Sequence, residues 1–225
     1  MASRPLHFFW VVDCSGSMSG EKIGAVNHAV SSAIPEMAKA AEDNPNAQLF
    51  VRTLKFSSGA SWVTTNPVKI EDFAWDDLKA EGVTDMGKAL DMLAAQLTIP
   101  PMPERALPPV LVLLSDGIPT DDHKKGLDKL LGLPWGKKSV RIAIAIGHDA
   151  DTEVLSDFTG NKELVLQANS AEALVRMIKW ASTVATVVSA PNSRQGGDSS
   201  EISSNVSLDT NNIPKVDDIG VGDVW

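Results

Sequence analysis

The sequence predicts an α/β fold: a doubly wound, mostly parallel six-stranded sheet with helices on both faces. Three observations carry this. Strand-like and helix-like runs alternate along residues 1–190, the order that builds a parallel sheet through helical crossovers. The runs His7–Val12, Val110–Leu114 and Val140–Ile146 are apolar almost without break, as strands buried on both faces are. Each stops abruptly in a polar loop, at Asp13, at Ser115-Asp116-Gly117 and at Gly147.

The elements follow in order. His7–Val12 is the first buried strand. Glu21–Ala41 is helical, because Ile23, Val26, Val30, Ile34 and Met37 recur at three- and four-residue spacing; Pro35 should kink or strain it. Gln48–Phe56 alternates apolar and polar, and Gly59 separates it from Ser61–Thr64, which reads as a hairpin at the sheet edge. Met86–Leu97 is a helix with Ala89, Leu90, Leu93 and Leu97 on one face. Val110–Leu114 is the second buried strand and Asp122–Leu131 the next helix. Val140–Ile146 is the third buried strand. Thr152–Phe158 is a short helix, Leu164–Gln167 an edge strand, and Ala171–Val188 the last helix.

The composition shifts near Pro191. Residues 192–225 are rich in Ser, Asn, Asp and Gly, too poor in large apolar groups to offset the entropy of ordering them. The domain is therefore expected to span residues 1–190, and residues 191–225 to form a flexible acidic tail. That tail holds six acids against two bases, −4 of a net charge of −9 over 225 residues. Ser203, Ser204, Ser207 and Thr210 offer hydroxyls for a kinase, against the plainer reading of a spacer.

Charge and cysteine content exclude several classes. A net −9 argues against nucleic acid, whose binders present a basic face, and against anionic membranes. One cysteine, Cys14, excludes an internal disulfide and a cysteine-cluster zinc site. No run approaches the roughly 18–20 apolar residues of a membrane span, and the N-terminus lacks the pattern of a signal peptide. The expected location is the cytoplasm.

In doubly wound sheets ligands bind beyond the carboxyl ends of the strands. The loop after the first strand reads Asp13-Cys14-Ser15-Gly16-Ser17, a carboxylate and two hydroxyls at alternate positions. Asp116 follows a later strand, and Thr84 precedes a helix. Five oxygen groups from three loops can converge, and oxygen-only ligation suits a hard divalent cation, Mg²⁺ first, with Mn²⁺ or Ca²⁺ as substitutes. Each residue alone has an ordinary reading as loop hydroxyl, turn acid or helix cap. Asp85, Thr120, Asp121 and Asp122 are read as a solvated rim or as caps.

Asp13-x-Ser15-x-Ser17 with Thr84 in "TDMGKAL" and Asp116 in "LLSDG" resembles the metal-ion-dependent adhesion site of von Willebrand factor A domains, over about residues 5–188. The resemblance implies that Ser15 and Ser17 bind the metal directly and Thr84 directly or through water. Asp13 and Asp116 would act mainly through waters and hydrogen bonds. With both carboxylates off the metal, an Asp or Glu of a partner protein would complete the octahedron. The implied function is a non-catalytic, metal-dependent interaction module. The stretches "FFWVVDCSGSMSGEKI", "LVLLSDGIPTDD" and "IAIGHDADTEVL" resemble the bacterial tellurite-resistance (TerY-like) branch. That branch implies a scaffold in tellurium and stress resistance, working with a protein kinase and a PPM-type phosphatase. The zinc ribbon of some relatives has no counterpart here, since no cysteine follows Cys14.

Other readings stand beside this one. The scaffold could be constitutive, its metal structural, with Trp62, Trp75 and Trp135 as partner anchors. A serine hydrolase would use Ser17, Asp116 and His148, in the chain order of α/β-hydrolases, but no Gly-x-Ser-x-Gly elbow is present. A phosphate-binding enzyme lacks its Gly-x-x-x-x-Gly-Lys-Ser/Thr loop.

Overall fold

A computed structural model describes residues 3–189; the tail, residues 191–225 with Ser203, Ser204, Ser207 and Thr210, lies outside them. The strands are β1 (Arg4–Asp13), β2 (Ala47–Ser57), β3 (Gly59–Trp62), β4 (Val68–Lys69), β5 (Val110–Ser115), β6 (Val140–Ile146) and β7 (Val165–Ala168). The helices are α1 (Glu21–Glu42), α2 (Met86–Gln96), α3 (His123–Gly132), α4 (Pro134–Lys138), α5 (Thr152–Thr159) and α6 (Ala171–Ser189). They form the doubly wound α/β fold that the alternation predicts.

The sheet runs β3-β2-β1-β5-β6-β7, parallel from β2 to β7. Its outer strand is antiparallel and split: β3 pairs the end of β2 and β4 pairs its middle. The split makes seven strands of the expected six. Val68–Lys69 is too short for any periodicity to reveal it. Helix α1 runs as one helix with Pro35 inside it.

The strands bury both faces, and successive residues divide between them. Phe8, Trp10 and Val12 join Val112, Leu114, Ile142 and Ile144 in the layer under α1 and α6. Phe9, Val11, Leu111 and Leu113 join Met86, Leu90, Leu127 and Phe158 under α2, α3 and α5. Each fully buried Val, Leu, Ile or Phe adds about 1.5–3 kcal/mol of transfer free energy, so two filled layers leave little freedom in how the strand ends are held.

One polar residue interrupts β1. His7 is buried, stacked on Phe50 with ring centroids 5.6 Å apart and on Phe9 at 6.2 Å, and its Nε2 lacks a hydrogen-bond partner. Burial, with the nearby Arg52 charge, lowers its pKa to about 4.

The chain turns outward in opposite directions from β1 and β5, so these neighbours form the topological switch point of the sheet. Val12 lies opposite Leu114 in their register. The residues that follow, Asp13 and Ser115–Asp116, therefore emerge side by side at the carboxyl edge.

Candidate metal centre

Asp13 closes β1 and is fully buried. Its Oδ1 accepts from the Ser15 amide at 2.8 Å, and its Oδ2 from the Ser115 hydroxyl at 2.6 Å. The Ser115 hydroxyl in turn accepts from the Gly117 amide at 2.8 Å. Burial pushes the Asp13 carboxyl above the ordinary range; the bonds from Ser115 and Ser15 pull it back, and the nearby Asp116 charge adds to the rise.

Beyond Asp13 the chain makes a short 3-10 turn, Gly16–Met18, pinned by the buried Met18 side chain. This holds the Ser15 and Ser17 hydroxyls 3.0 Å apart, Ser15 buried and Ser17 exposed. Backbone bonds join this turn to the next loop: the Glu81 amide donates to the Cys14 carbonyl at 2.7 Å, and the Gly16 amide to the Gly82 carbonyl at 2.9 Å. Gly82 has φ +83°, and a Cβ there would lie 2.4 Å from Ser58 Oγ, so only glycine fits without strain. Two residues on, Thr84 is buried and brackets the third loop. Its amide donates to Thr120 Oγ1 at 3.1 Å, and its carbonyl accepts from the Thr120 amide at 2.9 Å.

Asp116 supplies the test of whether these residues suit a metal. It is fully buried, and neither carboxylate oxygen has a hydrogen-bond partner. Its nearest cation, Lys22 Nζ, stands 3.9 Å from Oδ2, outside hydrogen-bond range. A buried carboxylate without donors is costly by several kcal/mol, and a divalent ion with its bound waters would supply the missing charge and donors. Its charge reaches Asp13, whose loop carries the paired Ser15 and Ser17 hydroxyls, and hard oxygens of this kind suit Mg²⁺, Mn²⁺ or Ca²⁺. Among the described residues no three His, Cys, Asp or Glu side chains cluster closely enough to hold a metal, so a metal here would need other oxygen ligands beside the carboxylates.

The surrounding acids are occupied with the fold. Asp121 accepts from the Gly87 and Lys88 amides at 2.8 and 3.0 Å, capping α2 from the neighbouring loop. Asp122 caps α3 through the Lys125 amide at 3.2 Å. Asp85 accepts from the Gly59 amide at 2.8 Å and from Lys88 Nζ at 2.6 Å, and the Lys88 bond holds its carboxyl below the usual range.

The hydrolase arrangement is not assembled. His148 is exposed and gives no hydrogen bond to Asp116, and the Ser17 hydroxyl pairs with Ser15. Nor are the three tryptophans free anchors. Trp62 lies under the Arg52 guanidinium at 3.7 Å, Trp75 Nε1 donates to Asn27 Oδ1 at 3.1 Å, and Trp135 is buried. The large exposed apolar side chains among the described residues are Val83, Ile99 and Ile118. Val83 and Ile118 flank the site, on the two loops that pair at Thr84 and Thr120.

Two residues at the site are not among those the sequence singles out as ligands. Ser115 orients Asp13, yet its only signal is a hydroxyl ending an apolar strand. Lys22 reaches Asp116 and Asp149 from the first turn of α1, across sequence separations that spacing cannot reveal.

The family model described as von Willebrand factor type A domain matches residues 9–180. No curated protein sequence matches the chain. Among solved structures, the pilus adhesin SpaC of Lactobacillus rhamnosus GG in its open conformation superposes with TM-score 0.65 at 17% identity, over 83% of this chain and 30% of that one. VWA2, the ArnB paralog of Sulfolobus acidocaldarius, gives TM-score 0.59 at 19% identity, over 80% and 45%. Proximal thread matrix protein 1 of the mussel byssus, solved with a zinc-occupied MIDAS motif, gives 0.58 at 17% identity, over 82% and 46%. The chain thus spans less than half the length of each, and at these identities the likeness is one of fold.

Proposed function

The chain belongs to the von Willebrand factor type A domain family, and from that premise we propose that it is a non-catalytic, metal-dependent protein-interaction module. The observation that carries this reading is the Asp116 carboxylate, buried without a donor beside Asp13 and the hydroxyl-bearing loops. Ser15 and Ser17 would hold the ion directly, and Thr84 directly or through water. Asp13 and Asp116 would act through bound waters. Mg²⁺ fits this hard-oxygen set best, with Mn²⁺ or Ca²⁺ as substitutes.

What the ion supplies when bound is an electrophilic position for an anionic oxygen. The chain's own residues do the rest. Ser115 and the Ser15 amide occupy Asp13 and keep its negative charge off the open position. The exposed Val83 and Ile118 give the rim apolar ground, so the partner would offer an Asp or Glu with apolar neighbours.

The finer placement rests on the resemblance of three stretches, those around Asp13, Asp116 and His148. It puts the module in the cytoplasm, in a bacterial tellurite- and stress-resistance system with a protein kinase and a PPM-type phosphatase. Among the described residues no helix is long and apolar enough to cross a membrane.

The test has two arms. Calorimetric titration of the purified chain should show one Mg²⁺ or Mn²⁺ site, lost in Asp13→Ala. Pull-down of host proteins should recover the partner in Mg²⁺ and lose it in EDTA. Capture that survives both EDTA and Asp13→Ala would show a constitutive scaffold instead.

A further inference from the structure

A lysine in the first turn of a helix faces the positive end of the helix dipole, where cations are disfavoured. Lys22 occupies that position, the second residue of α1, with only 13% of its side chain exposed. Its stem passes against the β6–α5 loop at Gly147, where a Cβ would come within 2.9 Å of both Cε and Nζ. Its Nζ donates to Asp149 Oδ1 at 3.1 Å and lies 3.9 Å from Asp116 Oδ2. Two anions from two loops thus compensate for an unfavourable place on the helix.

We propose that Lys22 is a resident counter-cation that sets the divalent-ion affinity of the site and ties it to the 147–151 loop. The inference rests on the reading of the site as a metal centre. The ammonium partly neutralises Asp116 and so competes with an ion for the field of that carboxylate. It does not replace the ion: it leaves both Asp116 oxygens without a hydrogen bond, and its own bond goes to Asp149. Asp149 draws the ammonium outward, which leaves Asp116 available. The same ion then has two levers, the Asp116 carboxylate that it needs and the Asp149 loop that holds its competitor away. A partner that contacted Asp149 would loosen or tighten the metal without touching a ligand.

Calorimetric titration of the full chain with MgCl2 and MnCl2 tests this across four proteins: wild type, Lys22→Met, Asp149→Asn and the double variant. Removing one buried-side positive charge should tighten binding in Lys22→Met by about tenfold. Asp149→Asn, on an exposed loop, should weaken binding by about threefold, because Lys22 is left to Asp116 alone. In the Lys22→Met background the same change should have less than half that effect on a logarithmic scale, since its route runs through Lys22. Thermal melting in EDTA establishes that each variant is folded. Binding in Lys22→Met that is equal to or weaker than wild type overturns the counter-cation role and leaves the metal reading intact; so does an Asp149→Asn effect of equal size in both backgrounds. If neither wild type nor Lys22→Met takes up either ion, the metal reading falls and this one with it.

Discussion

The Ser115 hydroxyl donates to Asp13 Oδ2 at 2.6 Å while accepting the Gly117 amide at 2.8 Å. One fully buried oxygen therefore orients the carboxylate that ends β1 and the backbone that follows Asp116. Ser115→Ala would strand two buried polar groups, one of them charged. Each such orphan costs about 1–3 kcal/mol. The expected loss is about 3 kcal/mol, read in urea denaturation as a lower midpoint at unchanged slope. Mg²⁺ binding should weaken as well, because Asp13 is then held by the Ser15 amide alone. A variant as stable as wild type would mean that the carboxylate finds another donor.

Asp116 calls for the opposite sign. A buried carboxylate without donors is a cost that the folded chain carries. Asp116→Asn removes the charge at nearly constant volume. In EDTA the variant should melt higher than wild type. In millimolar Mg²⁺ the order should reverse, because wild type gains RT ln(1 + [L]/Kd) from the bound ion and the variant does not. A scanning thermal melt with and without Mg²⁺ reads both. If wild type melts higher under both conditions, Lys22 alone is sufficient compensation for Asp116.

The fold and the two acids of the candidate site are legible in the sequence because the same strands present both. Strands buried on two faces must be apolar throughout, so β1, β5 and β6 are visible as runs, and the polar residues that end them are visible as interruptions. That is how Asp13 and Asp116 stand out. What was not legible depends on neighbours distant in the chain. β4 has two residues, too few for a period. α4, Pro134–Lys138, is five residues long and holds one Pro and one Gly, so no helical period marks it, although proline suits a first helical turn. Asp121 looks like a cap for its own helix, yet it caps α2 across the loop. Lys22 looks like an ordinary helix-surface cation until β5 and β6 bring Asp116 and Asp149 to it.

Two glycines of the site separate backbone strain from simple crowding. At Gly82 a side chain would meet both a left-handed φ of +83° and Ser58 Oγ at 2.4 Å. At Gly16 an added Cβ would meet only the Gly82 carbonyl, at 3.2 Å. Gly82→Ala should cost about 1–3 kcal/mol from the conformation alone. It should also lower metal affinity, because the Gly82 carbonyl that anchors the Gly16 amide must move. Gly16→Ala should cost less than half as much. Denaturant midpoints of the two variants check the order, and a larger loss at Gly16 would show that the crowding there cannot relax.

His7 contributes to the pH dependence of folding, and the sign of its contribution follows from its place. Stacked on Phe50 and Phe9 with Arg52 nearby, it has a pKa of about 4 in the folded chain, against 6.5 when unfolded. Between those values the unfolded chain binds a proton that the folded chain refuses, so stability falls as pH drops from about 6.5 to about 4. The full span corresponds to about 3 kcal/mol, of which about 2 kcal/mol is already lost at pH 5. His7→Phe keeps the stack, removes the unpartnered Nε2 and removes the titration. Its stability relative to wild type should therefore rise by about 2 kcal/mol between pH 7.5 and pH 5. Urea denaturation in EDTA at both pH values measures that difference, and contributions from the other acids, Asp13 included, cancel in the comparison. Parallel pH profiles for the two proteins would mean that water reaches the imidazole and protonates it in the folded state.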